Sequence, residues 1–183
     1  MGLNILIIGN CGVGKTHVLK KLIESLSVKK ENRIGLLNYL ENENYIITGK
    51  YVDHTFDGSD KLAMNVMKSL DEFLNTNINK TIFYEGDRFT NSNFIKKAKP
   101  FIIKILGDGK EGRSIRNSNQ TQRHLKSIQT RVSNINTDIE LNNSNVCISV
   151  LMHCILHSSN IEEIKQNLNK QKLIHVKQQQ SLF

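Results

Sequence analysis

The first sixteen residues constrain the fold more than any other part of the chain. Leu3–Ile8 is an apolar run, broken only by Asn4, that leads directly into Gly9-Asn10-Cys11-Gly12-Val13-Gly14-Lys15-Thr16. From Gly14 to about Leu26, the residues Val18, Leu19, Leu22, Ile23 and Leu26 recur at helical spacing. A strand that is apolar on both faces belongs inside a parallel sheet covered on both sides. Strand, glycine-rich turn and amphipathic helix, in that order, begin a crossover unit of an open α/β sheet. Ligands of such sheets sit at the carboxyl ends of the strands, where this turn falls.

The turn fits the pattern G-x-x-x-x-G-K-[ST] throughout. Its glycines let the backbone curl so that N–H groups face phosphate oxygens, and the start of the next helix adds its positive dipole end. Asn10, Cys11, Gly12, Val13 and Gly14 would line this cradle. Lys15 would reach the β and γ phosphates of ATP, and the Thr16 hydroxyl would ligate magnesium.

The rest of the chain alternates in the same style. Ile34–Leu40 and Tyr45–Thr48 read as short strands around Glu41–Asn44, and Lys61 to Asn75 as a helix. Thr81–Tyr84 and Phe101–Leu106 read as strands, the latter introduced by the only proline, Pro100. A helix is expected over about Gln120 to Asn136, a last core strand over Val146–Leu151, and a final helix opened by a capping box at Ser159–Glu162. Ile161, Ile164 and Leu168 of that helix would face inward. The expectation is an α/β, three-layer α/β/α fold with a central, mostly parallel sheet. Residues 1–170 would form one domain and 171–183 a polar tail.

Composition agrees with one globular domain: 183 residues, 38% apolar and 23% charged. No apolar run approaches the ~20 residues that span a bilayer. The first apolar stretch is too short for a signal-peptide core, so a cytoplasmic protein with no membrane contact is expected. Cys11, Cys147 and Cys154 form no CxxC pair and suggest no disulfide framework.

The net charge of +8 is local. Lys96 to Arg131 holds ten Lys/Arg and two acids, and the other residues hold fifteen of each sign. Such a concentration suits an anion site or a solvated basic face. On a helix, Gln120, Arg123, Ser127 and Arg131 share a face with Arg116, while Leu125, Ile128, Val132 and Ile135 fall toward the opposite side. Gly107 to Gly112 contains three glycines and would act as a hinge.

The strand Thr81–Tyr84 ends in Glu85-Gly86-Asp87-Arg88-Phe89, on the same sheet edge as the glycine-rich turn. Glu85 or Asp87 would hold magnesium, directly or through water. Arg88 would bind a phosphate or orient an acceptor. Together with the turn and the downstream arginines, this element resembles the nucleoside and nucleotide kinase branch of P-loop proteins. Asp87-Arg88-Phe89 is similar to the Asp-Arg-aromatic element of thymidylate kinases. Glu85-Gly86 with Arg88 is similar to the Asp-Gly element and acceptor-binding arginine of adenylate kinases, with Glu in place of Asp. The general organisation also resembles small kinase-like proteins of phages and viruses. The resemblance spans roughly residues 3–170, and the glycine-rich turn is its specific part. It implies an arginine-rich lid over about 107–136, with Arg116 and Arg123 closing on the transferring phosphoryl group beside Lys15 and Arg88. It implies ATP and Mg2+ as cofactors and a (deoxy)nucleoside monophosphate as acceptor. The acceptor pocket would come from Thr48–Tyr51 and Asp53–Asp60. Asp53 or Asp57 would serve as base were the acceptor a hydroxyl, and Tyr51, His54 and Phe56 read as core or loop residues.

Other partners remain in view. A polynucleotide 5′-kinase or a non-catalytic nucleic-acid-binding module would use the basic segment on phosphates. A GTPase-type switch would need N-K-x-D, and neither Asn79-Lys80-Thr81-Ile82 nor Asn169-Lys170-Gln171-Lys172 supplies the aspartate. The final Gln179-Gln180-Ser181-Leu182-Phe183 resembles motifs that dock onto the bacterial sliding clamp through two apolar anchors.

Overall fold

The computed structural model describes residues 2–51, 57–115, 117 and 119–180, with side chains to residue 174. The apolar run forms the central strand β1 (Leu3–Gly9) of a seven-stranded sheet. β2 (Lys30–Ile34), β3 (Leu37–Glu41), β4 (Tyr45–Thr48), β5 (Thr81–Glu85), β6 (Phe101–Ile105) and β7 (Ile139–Leu141) complete it in the order β2-β3-β4-β5-β1-β6-β7. From β4 to β7 every pairing is parallel; β2 and β3 extend one side as antiparallel strands. Ile5 stands opposite Phe83 of β5 and Phe101 of β6, which sets the register. The parallel strands therefore end on one edge, at Thr48, Glu85, Gly9, Ile105 and Leu141.

Alternation along β1 divides the core. Leu3, Ile5 and Ile7 pack on one face with α1 (Lys15–Ser25), α6 (Ser144–Leu156) and α7 (Ile161–Gln180). Leu6 and Ile8 pack on the other with α2 (Leu70–Thr76), α3 (Ser92–Ala98) and α5 (Gln122–Ser133). Ile5, Leu6, Ile7 and Ile8 are fully buried, and each contributes about 1.5–3 kcal/mol of transfer free energy. Helices thus cover both faces, as the consecutive apolar residues Ile5–Ile8 of β1 require. The exposed edge is β2, whose Lys30, Glu31, Asn32 and Arg33 are solvent-facing; charge on an open edge discourages pairing with another chain.

Several elements depart from the sequence expectation. The single strand expected at Ile34–Leu40 is a hairpin. The chain reverses at Gly35, in a left-handed conformation at φ 54°, and a Cβ there would lie 2.3 Å from Ser69 Oγ. The helix expected from Lys61 begins only with a 3-10 turn at Val66–Ser69 and α2. Upstream, the Leu62 carbonyl accepts from Arg88 Nε instead of from a helical N–H. The strand expected at Val146–Leu151 is helical, within α6. Its buried residues Cys147, Val150, Leu151, Cys154 and Ile155 follow helical spacing, and Asn143 caps its start by accepting from Val146 N. The last strand is β7 instead, just before that cap. The final helix is capped one residue later than expected: Asn160 accepts from Glu163 N, and the Glu163 carboxylate accepts from Ser159 N. α3 was not anticipated; Asn91 caps it by accepting from Phe94 N.

Candidate functional site

A cavity of about 600 Å³ opens at the carboxyl edge of the sheet. The end of β1, the start of α1, the end of β5 and the inward side of α5 enclose it. Gly9, Cys11, Gly12, Gly14, Lys15 and Thr16 form its floor.

The floor has the backbone that the glycines predict. Gly9, Gly12 and Gly14 have φ of 149°, 90° and 94°, in the region that disfavours side chains. Gly14 is the N-cap of α1 and offers no side-chain acceptor, and the first turn carries no acid. The first-turn N–H groups of this helix are therefore left for an anion. Lys15 Nζ donates to the carbonyls of Gly9 and Asn10, both at 2.9 Å. Lys15 thus arches back over the loop, above the place a phosphate would take.

The wall beside it is acidic. Glu85, at the tip of β5, is buried, and its Oε1 accepts from Ser59 N at 3.0 Å. Burial pushes its carboxyl above the ordinary range, against the pull of Lys15 and the Ser59 hydrogen bonds. Gly58 is wedged between the two halves of the site: a Cβ there would lie 2.4 Å from Glu85 Oε1 and 3.3 Å from Thr16 Cγ2. The Glu85 carboxylate and the Thr16 side chain thus border Gly58 from two sides, and both line the cavity. Magnesium takes one or two protein carboxylates and completes its shell with water and phosphate; a hydroxyl and a carboxylate fit that demand. Asp87 also lines the cavity, with its carboxylate paired to Arg131 of α5.

The remaining sequence candidates separate. Arg88 lines the cavity, with Nε directed to the Leu62 carbonyl. Arg123 is exposed and does not line the cavity. The side of α5 that does so carries His124, Ile128 and Val132, so the apolar stripe expected to pack away from the site forms part of its wall. Arg116, Asp53, His54 and Phe56 lie outside the described residues. Asp57 is buried in the wall and ion-paired with Lys20 at 2.6 Å. The stretch expected to be a hinge, Gly107 to Gly112, leads into the short helix α4 (Lys110–Ile115), which rests on the glycine-rich loop.

Some of these features were out of reach of sequence reasoning. The Ser59–Glu85 bond joins residues 26 apart, and Lys20–Asp57 joins α1 to a loop. Neither pair has a local spacing that announces it. The Asp57-Gly58-Ser59-Asp60 run was the available signal. It pointed to the right region without indicating that Gly58 separates the two candidate magnesium ligands.

Comparison with protein-family models, with curated proteins and with solved structures finds no match.

Proposed function

We propose that this chain is an ATP- and magnesium-dependent phosphotransferase that moves the γ-phosphoryl group of ATP to a small acceptor. The observation that carries this reading is the meeting of three features in one cavity: the glycine-rich loop with Lys15, the open first turn of α1, and the Thr16–Glu85 pair. The triphosphate would lie along the loop, with Lys15 leaving its carbonyls for the β and γ oxygens. Thr16 and Glu85 would hold magnesium, which when bound neutralises phosphate charge. Positioned cations stabilise the charge that spreads over the phosphoryl oxygens in the transition state.

The acceptor side would be the space between Arg88, His124 and the apolar wall of Ile128 and Val132. The resemblance ranks a (deoxy)nucleoside monophosphate first, and Arg88, which lines the cavity, would meet its phosphate. Arg123 would act only if the segment bearing it closes over the cavity, and Arg116 is kept as a candidate on the sequence alone. A polynucleotide 5′-end is the second acceptor reading, favoured by Arg123 and Lys126, which lie exposed on α5. A dock for the sliding clamp at Gln179–Phe183 remains a separate proposal on the tail sequence.

The test is ADP formation with Mg-ATP against a panel of nucleosides, their monophosphates and short oligonucleotides. One acceptor should stimulate turnover, and Lys15→Ala should lower it about 100-fold or more. ATP turnover indifferent to every acceptor, or to Lys15→Ala, would overturn the assignment.

A further inference from the structure

The loop that follows β6 interlocks with the glycine-rich loop through main-chain contacts on both sides. A Cβ on Gly12 would lie 2.2 Å from the Gly109 carbonyl oxygen, and one on Gly112 would lie 2.1 Å from that of Gly12. Gly109, at φ 67°, could carry no side chain either, because its Cβ would meet the Cys11 carbonyl oxygen. Hydrogen bonds reinforce the contact. Asn10 Nδ2 donates to the Gly107 carbonyl at 2.7 Å, and Arg113 Nη1 donates to the carbonyls of Cys11 and Asp108 at 2.7 and 2.6 Å.

Set beside Lys15, these bonds form a pattern. The carbonyls of Gly9 and Asn10 are taken by Lys15, and that of Cys11 by Arg113. Three successive carbonyls of the loop are thus each held by a cation. A carbonyl oxygen turned toward a phosphate would repel it, whereas one tied to a cation leaves the N–H side of its peptide plane for the anion. The two cations differ in what a nucleotide would do to them. Lys15 has a flexible stem and can move to the phosphates. Arg113 is pinned by two carbonyls and by the glycine contacts around it, so it would remain.

We infer that Arg113 is a positioning residue that holds the glycine-rich loop in its anion-binding curl, and that Gly109 and Gly112 exist to let its short helix reach that loop. The inference rests on the phosphotransferase reading of the site. It gives Arg113 a different role from that of an arginine closing over the transferring group: Arg113 acts through Cys11 on the donor nucleotide, without touching the acceptor.

The experiment compares Mg-ATP binding by calorimetry, and amide exchange of residues 9–16 without ligand, in wild type, Arg113→Ala and Arg113→Lys. Arg113→Ala should weaken Mg-ATP binding about ten-fold or more, as expected for a lost charge-assisted hydrogen bond. It should also speed exchange in the loop while leaving the rest of the sheet protected. Arg113→Lys should restore part of both, and once an acceptor is known, the KM for that acceptor should stay unchanged in either variant. Wild-type binding equalled by Arg113→Ala, with unchanged loop exchange, would overturn the inference and leave the phosphotransferase reading intact. Loss of protection throughout the sheet in both variants would overturn it as well, by making Arg113 a general stability element. Failure of the wild type to bind Mg-ATP would overturn the reading beneath it.

Discussion

Cys11 lines the cavity, half-buried, whereas Cys147 and Cys154 lie on the buried side of α6, in the core. Burial pushes the Cys147 thiol up to about 12 and the Cys154 thiol up to about 11, so neither yields appreciable thiolate near neutral pH. A thiol reagent at pH 7 should therefore label Cys11 selectively in the folded protein, and Mg-ATP should slow that labelling. Equal rates with and without nucleotide would place the triphosphate elsewhere. A second residue-scale effect sits at the far end of the sheet. Glu41 is buried beside Lys80, Lys30 and Asn32. Burial alone would raise its carboxyl, but hydrogen bonds from those three hold it at about 2 against an ordinary 4.5. The stabilisation is therefore complete above about pH 4.5 and is lost as pH falls toward 2. Over that window the folding stability of wild type should fall more steeply than that of Glu41→Gln in denaturant titrations. Parallel slopes would show that the pair contributes nothing.

The elements hold the site by packing. Tyr84 of β5, Phe89 of the following turn and Phe94 of α3 form a fully buried aromatic cluster, with ring centroids 4.7 to 5.1 Å apart. This cluster pins both ends of the Glu85–Thr90 segment, so the direction of Asp87 and Arg88 is set from beneath. Phe94→Ala should cost about 3–5 kcal/mol of folding stability in a urea titration, because the cluster cannot collapse around the hole. A loss below about 1 kcal/mol would mean the site end of β5 is loosely held. Legibility in the sequence followed the same logic of elements. β1, β4, β5 and β6 were readable because short apolar runs end at glycine or at polar turns. α6 was misread because Val146–Leu151 is apolar except for Ser149, and an apolar run of that length suits a buried strand or a buried helix equally. Asn143, the cap that decides for helix, carries no warning of its own in a chain so rich in asparagine.

On the scale of the whole molecule, the excess positive charge of Lys96–Arg131 is not presented as one continuous cationic face. Lys97 pairs with Asp71, Lys104 with Glu140, Lys110 with Asp108 and Arg131 with Asp87. Arg113 is spent on main-chain carbonyls. The sequence showed where the charge was concentrated, but not where it would be neutralised. Those partners come from α2, β7 and the end of β5 as well as from within the segment. The backbone curl of the glycine-rich loop, by contrast, was legible because it is local: Gly9, Gly12 and Gly14 take positive φ within eight consecutive residues. No helix among the described residues is long and apolar enough to cross a membrane.

Following the γ-phosphoryl group itself tests the phosphotransferase assignment most directly. The protein would be incubated with magnesium, γ-labelled ATP and the acceptor panel, and the label separated by chromatography. The assignment predicts label in one acceptor, stoichiometric with the ADP formed and absent with Lys15→Ala. Label released only as inorganic phosphate, or retained in ATP with every acceptor, would contradict it.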